Sequence, residues 1–162
     1  MKDKTACFTG HRVIPPEQYD GITKHLAETI IDLIHKGYRY FGAGGALGFD
    51  TMAAQAVLRL KRQYPSICLI LVLLCLPQAK HWSEHDQAVY NHIKARADKV
   101  VYTAQEYSRG CMHKRNRHLV DNSSICICYL TETTGGTAYT VNYAKMRGLA
   151  VINIAQSEEN RQ

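Results

Sequence analysis

Short apolar runs alternate with segments of helical periodicity along almost the whole sequence, and this order limits the fold more than any other feature. Runs typical of strands occupy residues 5–9, 38–42, 67–76, 99–102, 124–130 and 150–154. The segments between them carry helix signals, either an apolar helical period or residues that typically begin and end a helix. Strands that alternate with helices predict a parallel sheet with right-handed crossovers. We therefore predict an α/β fold: a single Rossmann-like, three-layer domain with a mainly parallel sheet.

Capping residues indicate where the helices begin and end. Asp20 and Asp50 are each predicted to be an N-cap, and Ser83 is predicted to open a helix that ends near residue 97. Gly37 is predicted to end the first helix in the left-handed conformation. The other helices are predicted near residues 51–64, 112–122 and 137–147.

The length of 162 residues fits one domain with one core. We predict this domain over residues 1–155, followed by a polar tail at residues 156–162. The longest apolar stretch, residues 67–76, is too short to span a membrane, which takes about 20 residues. No signal-peptide pattern is present, so we expect a cytoplasmic protein without a membrane partner.

The six cysteines do not form a recognisable metal or redox motif. Five of them lie in apolar runs, where free cysteine is a small core residue, and Cys-x-x-Cys is absent. Cys111 is the exception, because it is predicted in a polar loop beside His113, where a reactive thiol is an alternative. His81, Glu84 and His85 spell a zinc-binding pattern, but the predicted helix start leaves His81 outside the helix. We predict no metal site.

Three glycine-bearing turns each follow a predicted strand. They are Gly10-His11-Arg12, Gly44-Gly45 and Gly135-Gly136-Thr137. Such turns share the edge of an α/β sheet at which the carboxyl ends of the strands meet and ligands bind. Two of them lead quickly into a helix, whose N-terminus attracts anions through free N–H groups. Tight turns alone would explain each glycine, but three at one edge favour a site for a phosphate-bearing ligand.

A basic cluster at residues 113–118 supplies charge for such a site, and the net charge of +6 also suits an anionic ligand. Arg115 and Arg117 are candidates for the phosphate contact, because a guanidinium binds phosphate oxygens in a bidentate manner. Asn116 lies between them and is suited to a sugar or a base. The alternative for the cluster is a solvated helix face.

Two carboxylates and one aromatic ring complete the candidates. Asp50 and Glu132 could each bind a ribose hydroxyl, although helix capping alone would explain Asp50. Trp82 is either a plug of the core or a stacking surface for a base. The dinucleotide fingerprint and the P-loop motif are both missing, which argues against dehydrogenase-type NAD binding and P-loop ATPase activity. We predict no cofactor.

Several motifs, taken together and in order, resemble the YpsA-like branch of the SLOG superfamily. They are Cys7-Phe8-Thr9-Gly10-His11-Arg12, Gly44-Gly45-Ala46-Leu47-Gly48-Phe49-Asp50, Trp82, Arg115-Asn116 leading to Asp121, and Gly135-Gly136-Thr137 with Ala144. The resemblance implies a single Rossmann-like domain. It also implies a pocket formed by the Gly10, Gly44-Gly45 and Gly135-Gly136 turns, with Arg115 nearby. The superfamily includes phosphoribohydrolases, which release the base of a nucleoside monophosphate, and DprA, which binds single-stranded DNA.

One departure from that pattern concerns catalysis. The phosphoribohydrolases carry Pro-Gly-Gly-x-Gly-Thr-x-x-Glu, whereas Thr134, Ala138 and Asn142 replace the proline, the third glycine and the glutamate here. An amide cannot act as a carboxylate base, so Asn142 favours binding over hydrolysis, with Asp50 or Glu132 as the alternative carboxylate.

We predict a binding or sensing role for a nucleotide or nucleotide-sugar ligand. N-glycosidic hydrolysis of nucleoside monophosphates and binding of single-stranded DNA are the alternatives, and assembly into a homo-oligomer is left open. Arg115→Ala and Gly45→Val are each expected to abolish ligand-induced stabilisation without unfolding the protein.

Overall fold

The computed structural model describes residues 1–75 and 78–155, and within them strands and helices alternate as predicted. The strands are β1 (Thr5–Gly10), β2 (Tyr40–Ala43), β3 (Cys68–Leu73), β4 (Lys99–Tyr102), β5 (Ile125–Tyr129) and β6 (Ala150–Asn153). The α-helices are α1 (Tyr19–His35), α2 (Phe49–Lys61), α3 (Glu84–Arg96), α4 (Cys111–Asp121) and α5 (Gly136–Met146). Two short 3-10 helices, Lys2–Lys4 and Pro16–Gln18, precede β1 and α1.

The strands of the described residues form one sheet in the order β4-β3-β2-β1-β5-β6, and every neighbouring pair is parallel. The α/β fold with a parallel sheet is therefore confirmed. Strands β2, β3 and β4 lie on one side of β1, and β5 and β6 lie on its other side. The strand order thus reverses between β1 and β5, and ligands of such sheets bind in the crevice above this point.

Each face of the sheet carries its own apolar layer, because successive strand side chains point to opposite faces. Phe8 and Ile127 pack with α1 and α2 on one face. Cys7, Cys126 and Cys128 pack with α4 and α5 on the other face. These three cysteines are buried free thiols, as their apolar runs predict. The sandwich of helices, sheet and helices is the three-layer arrangement predicted from the alternation.

Two of the predicted N-caps are wrong. A 3-10 helix precedes α1, so the helical backbone already begins at Tyr19 and Asp20 lies inside the first turn. Helix α2 begins at Phe49 after Gly48, which places Asp50 inside the helix as well. The Ser83 prediction is confirmed, because its hydroxyl accepts a hydrogen bond from the Asp86 N–H at 3.1 Å.

The other boundaries agree closely with the sequence. Gly37 follows α1 with φ +99°, in the left-handed conformation predicted for it. Strand β3 ends at Leu73, although the apolar run continues. The end of that run, Leu76, and the predicted tail at residues 156–162 lie outside the described residues. No helix in residues 1–75 and 78–155 is long and apolar enough to cross a membrane.

Candidate functional site

A cavity of about 270 Å³ opens at the carboxyl edge of the sheet, beside the point where the strand order reverses. The loop after β1 and the start of α2 form one part of its wall, and α4 and the turn before α5 form the rest. It is lined by Thr9, Gly10, His11, Arg12, Ala46, Asp50, Met112, Arg115, Asn116, Glu132, Thr134, Gly135, Gly136 and Thr137. The fold thus brings together nine of the eleven residues predicted from the sequence, all except Gly44 and Gly45.

Arg115 is a charged wall residue of this cavity and is almost fully buried, with 3% of its surface exposed. It lies on the inward stripe of α4, four residues from both Cys111 and Leu119. Its guanidinium donates to the Gly44 carbonyl oxygen, and its Nε donates to Asn116 Oδ1 at 2.9 Å. A solvated helix face is therefore the wrong interpretation of this residue. A guanidinium has five N–H donors, so further donors remain for a ligand.

Gly44 makes the position of Arg115 possible without lining the cavity itself. A Cβ atom at Gly44 would lie 2.9 Å from Arg115 Cζ, closer than real Cβ contacts allow. Gly45 has φ +71°, and its Cβ would lie 2.5 Å from Leu73 Cδ2. A β-branched residue at this φ would clash with the core, so the expectation that Gly45→Val leaves the fold intact is wrong.

Asp50 lines the same cavity from the first turn of α2 and is 6% exposed. Its Oδ2 accepts a hydrogen bond from the Ala46 N–H at 3.3 Å, while Oδ1 is buried without a partner in the described structure. Burial raises the pKa of Asp50 to about 6, although the Arg115 charge partly opposes this shift. A buried carboxylate oxygen without a hydrogen bond disfavours the charged form, which agrees with the direction of this pKa shift.

We expect Asp50→Asn to change the pH dependence of stability. The pKa of Asp50 is raised above its value of 3.8 to about 6, so the folded state binds the proton more tightly than the unfolded chain. This contribution to stability is complete below pH ~4 and is lost as the pH rises through 6. From pH 4 to pH 7 the free energy of unfolding of the wild type should fall by about 2 kcal/mol relative to the variant.

Urea denaturation at pH 4, 5, 6 and 7 measures this difference. Asp20→Asn is the control, because it removes one carboxylate at an exposed position in α1. Parallel pH profiles of wild type and Asp50→Asn would contradict the assigned pKa shift.

His11 ties the loop after β1 to the loop after β5. Its Nε2 accepts a hydrogen bond from the Thr131 N–H at 2.9 Å, so that nitrogen carries no proton in this arrangement. Its ring also packs edge-on against Tyr129, with centroids 5.8 Å apart. Arg12, the next residue, is exposed and reaches Met112 Sδ at 3.6 Å. His11 therefore holds the loop in place, and Arg12 adds a second guanidinium to the cavity.

The N-terminus of α5 contributes uncharged donors. The first helical hydrogen bond runs from the Tyr139 N–H to the Gly135 carbonyl oxygen. In the described part of the chain, the N–H groups of Gly136 and Thr137 make no hydrogen bond. Free N–H groups at a helix N-terminus, together with the helix dipole, form an anion-binding arrangement.

A second chamber of about 440 Å³ adjoins the first and shares Arg12, Ala46, Met112 and Arg115 with it. Its remaining walls are Leu74, Cys75, Gln78, Lys80, His81, Trp82 and Tyr107. Trp82 is half-buried and packs edge-on against Tyr90 at 5.4 Å between ring centroids. It is thus both a partial plug of the core and a wall of this chamber.

Several other predictions do not converge on the cavity. Arg117 donates to the Tyr139 hydroxyl at 3.1 Å, away from the cavity lining. Asn142 is exposed and does not line the cavity, so its amide gives no information about catalysis there. Cys111 is buried at the first position of α4, not in a polar loop. His81 precedes α3 as predicted, and residues 1–75 and 78–155 contain no cluster of His, Cys, Asp and Glu suited to a metal.

Among the lining residues that sequence reasoning missed, Ala46, Met112 and Gln78 have the largest role in joining the two chambers and their loops. Ala46 and Met112 line both chambers. Gln78 bridges two loops, since it accepts from the Leu74 N–H at 2.8 Å and donates to the Gly45 carbonyl oxygen at 3.0 Å. Met112 could have been found, because it lies three residues before Arg115 on the same helix face. Ala46 lies within the glycine-rich motif that follows β2, whereas Gln78 carries no such signal.

The family model described as the YspA SLOG family matches residues 16–151. A UPF0398 protein of Halalkalibacterium halodurans is 29% identical over 154 residues, which cover 89% of this chain and 82% of the relative. A UPF0398 protein of Bacillus cereus is 28% identical over 130 residues, covering 78% of this chain and 71% of the relative.

Solved structures of DNA processing protein A have a similar fold. The protein from Streptococcus pneumoniae aligns with a TM-score of 0.68 and 16% identity, over 98% of this chain and 53% of that one. The Helicobacter pylori protein, described for its single-stranded DNA binding mode, aligns with a TM-score of 0.67 and 18% identity. That alignment covers 93% of this chain and 64% of the neighbour. At these identities the likeness concerns the fold alone.

Proposed function

This chain belongs to the YspA SLOG family, and from that premise we propose that it binds a nucleotide-type ligand in the two joined chambers at the carboxyl edge of the sheet. The phosphate occupies the first chamber, against Arg12, Arg115 and the N-terminus of α5. The base occupies the second chamber, against Trp82.

The observation that carries this proposal is the buried guanidinium of Arg115. Burial lowers the pKa of Arg115 from its usual value, and the Asp50 carboxylate opposes that shift. Among the described residues, Asp50 is the acidic side chain whose charge opposes this desolvation, so an anionic ligand would improve the environment of the cation. The free N–H groups of Gly136 and Thr137 line the same cavity as the guanidinium. Phosphate accepts charge-assisted hydrogen bonds from both kinds of donor.

Polar acceptors and aromatic rings support the sugar and base parts of the ligand. Asp50, Asn116 and Glu132 line the first chamber, where their oxygens suit ribose hydroxyls. Trp82 and the exposed Tyr107 line the second chamber, and such rings stack on bases. A molecule with an anionic group, a polyol and an aromatic base would therefore match both chambers in turn.

A thermal-shift screen tests this proposal with inorganic phosphate, ribose 5-phosphate, adenosine, AMP and ADP-ribose. A ligand at 100 times its Kd stabilises the folded state by about 2.7 kcal/mol, which raises Tm by roughly 5–10 °C for a domain of this size. We expect AMP or ADP-ribose to give a larger shift than phosphate or adenosine alone, because each fragment fills one chamber. The absence of a shift with every probe at millimolar concentration would refute nucleotide binding.

The same incubation tests the hydrolytic alternative. Chromatography of AMP after prolonged incubation would reveal free adenine if the protein cleaved the N-glycosidic bond. In that case Glu132 and Asp50 are the carboxylates of the cavity that could assist, and Glu132→Gln should slow release of the base. Stabilisation by AMP without release of adenine supports a binding role.

Single-stranded DNA is a second candidate, and the continuity of the cleft favours it. A third chamber of about 460 Å³ shares His11 and Glu132 with the first chamber and none of its lining residues with the second. Three joined chambers could hold several nucleotides of one strand, and the H. pylori neighbour is described as binding single-stranded DNA. Fluorescence anisotropy of a labelled single-stranded oligonucleotide tests this candidate. An affinity that falls steeply with salt, together with displacement of the oligonucleotide by AMP, would assign the strand to this cleft.

A further inference from the structure

A basic groove of about 500 Å³ lies between α2 and α3, on the outer side of the helix layer. It is lined by Gln55, Leu58, Arg59, Lys61, Arg62, His92 and Arg96. The side chains come from the C-terminal halves of both helices and from the residue that follows α2. We refer to these seven residues as the basic groove.

Most of the positive charge in the basic groove is not neutralised. Lys61 is paired with Asp98, whereas Arg59 and Arg62 have no side-chain ion pair or hydrogen bond in the described structure. Arg96 has no acidic partner there either, and its Nη1 donates to His92 Nδ1 at 3.3 Å. Three guanidiniums therefore face one groove without a counter-ion from the described protein.

Helix ends explain part of this arrangement. Cations in the last turn of a helix interact favourably with the negative end of its dipole, so Arg59 and Arg96 are stable where they are. The helix dipoles do not explain why arginines from two different helices line the same groove. The convergence of Arg59 and Arg62 with Arg96 instead gives a surface of one sign, which attracts a polyanion.

The side chains that line the basic groove indicate which kind of polyanion it suits. Leu58 is its single apolar side chain, while stable protein interfaces have an apolar core with aromatic anchors. It also lacks Trp, Tyr and Phe, on which proteins stack the bases of single strands. Exposed arginines without stacking surfaces suit the phosphates of a duplex, whose bases are already paired. We propose that the basic groove binds the backbone of double-stranded nucleic acid without sequence preference.

This surface is separate from the nucleotide cleft. Asp50 lines the cleft at the first turn of α2, and Arg59 lines the groove at its last turn. Nine residues of helix separate them by about 14 Å along the axis. Duplex binding in the groove therefore does not depend on the nucleotide proposal.

Fluorescence anisotropy with a labelled 20-base-pair duplex tests the proposal. Three phosphate contacts predict that log K falls with log salt at a slope of about −2.7, which is roughly a 40-fold loss between 50 and 200 mM salt. The groove variant Arg59→Gln, Arg62→Gln, Arg96→Gln should lose this slope and at least about tenfold in affinity at 50 mM salt. Thermal unfolding and the AMP-induced shift of the same variant check that fold and cleft are intact.

The matched control is Lys4→Gln, Lys114→Gln, Lys145→Gln. It also removes three exposed positive charges, but none of these lysines lines the groove. We expect the control to bind the duplex like the wild type and AMP not to displace the duplex. If both triple variants lost duplex affinity equally, net charge alone would explain the binding, and the proposal would be overturned. Failure of the wild type to bind the duplex, or tighter binding of poly-glutamate than of the duplex, would overturn it too.

Discussion

Arg115→Ala is expected to abolish the nucleotide-induced thermal shift. The side chain is buried, lines both chambers and supplies charged donors to the phosphate position. Truncation of one partner in a buried, charge-assisted contact costs about 2–5 kcal/mol of binding, and at the lower end Kd already rises about 30-fold. Isothermal titration with the nucleotide that gives the largest shift measures the loss.

Two further variants separate binding from stability in this experiment. Arg115→Ala also leaves Asp50 without the cation that lowers its pKa, so some loss of stability is expected as well. Arg115→Lys keeps the charge but loses the bidentate geometry, and should bind more weakly than the wild type. Arg117→Ala removes the neighbouring arginine, which contacts Tyr139 outside the cleft, and should bind normally. Loss of binding in Arg117→Ala with normal binding in Arg115→Ala would reverse the assignment.

The order of strands and helices was predictable because each element has a local cause. Apolar runs mark the strands, and Gly37 and Ser83 mark helix ends by their own backbone and side-chain chemistry. The wrong N-cap predictions for Asp20 and Asp50 also have a local cause, because aspartate is favourable both at the N-cap and in the first turn of a helix. The preceding backbone decides between these positions, and its path is not visible in residue preferences.

The geometry of the cleft was predictable only in part. Arg115 and Arg117 look equivalent in the sequence, but two residues turn an α-helix by about 200°, so they point in nearly opposite directions. Thr137 and Asn142 differ by about 140° around α5 for the same reason, and of the two only Thr137 lines the cavity. The partner of Arg115, the Gly44 carbonyl, is 71 residues away in the chain, and no local pattern reveals it.

Gly48→Ala is expected to cause a large loss of stability. Gly48 has φ +78° and ψ −122° and immediately precedes α2. A Cβ atom there would lie 2.2 Å from the Arg12 carbonyl oxygen, so either the glycine turn or the loop after β1 must move. An unfavourable backbone region alone costs about 1–3 kcal/mol, and displacement of main-chain atoms adds to it. We therefore expect a loss of about 3 kcal/mol, or a fall in Tm of roughly 6–12 °C for this chain length.

Gly21→Ala is the matched control for this substitution. Gly21 is exposed within α1, and a Cβ atom there meets no atom within 4 Å. Alanine in a helix is more favourable than glycine, so this variant should be more stable by about 0.5 kcal/mol. Denaturation midpoints of both variants measure the contrast. If Gly48→Ala were as stable as the wild type, the close packing of the α2 start against Arg12 would be wrong. The cleft, which depends on both segments, would then have a different shape.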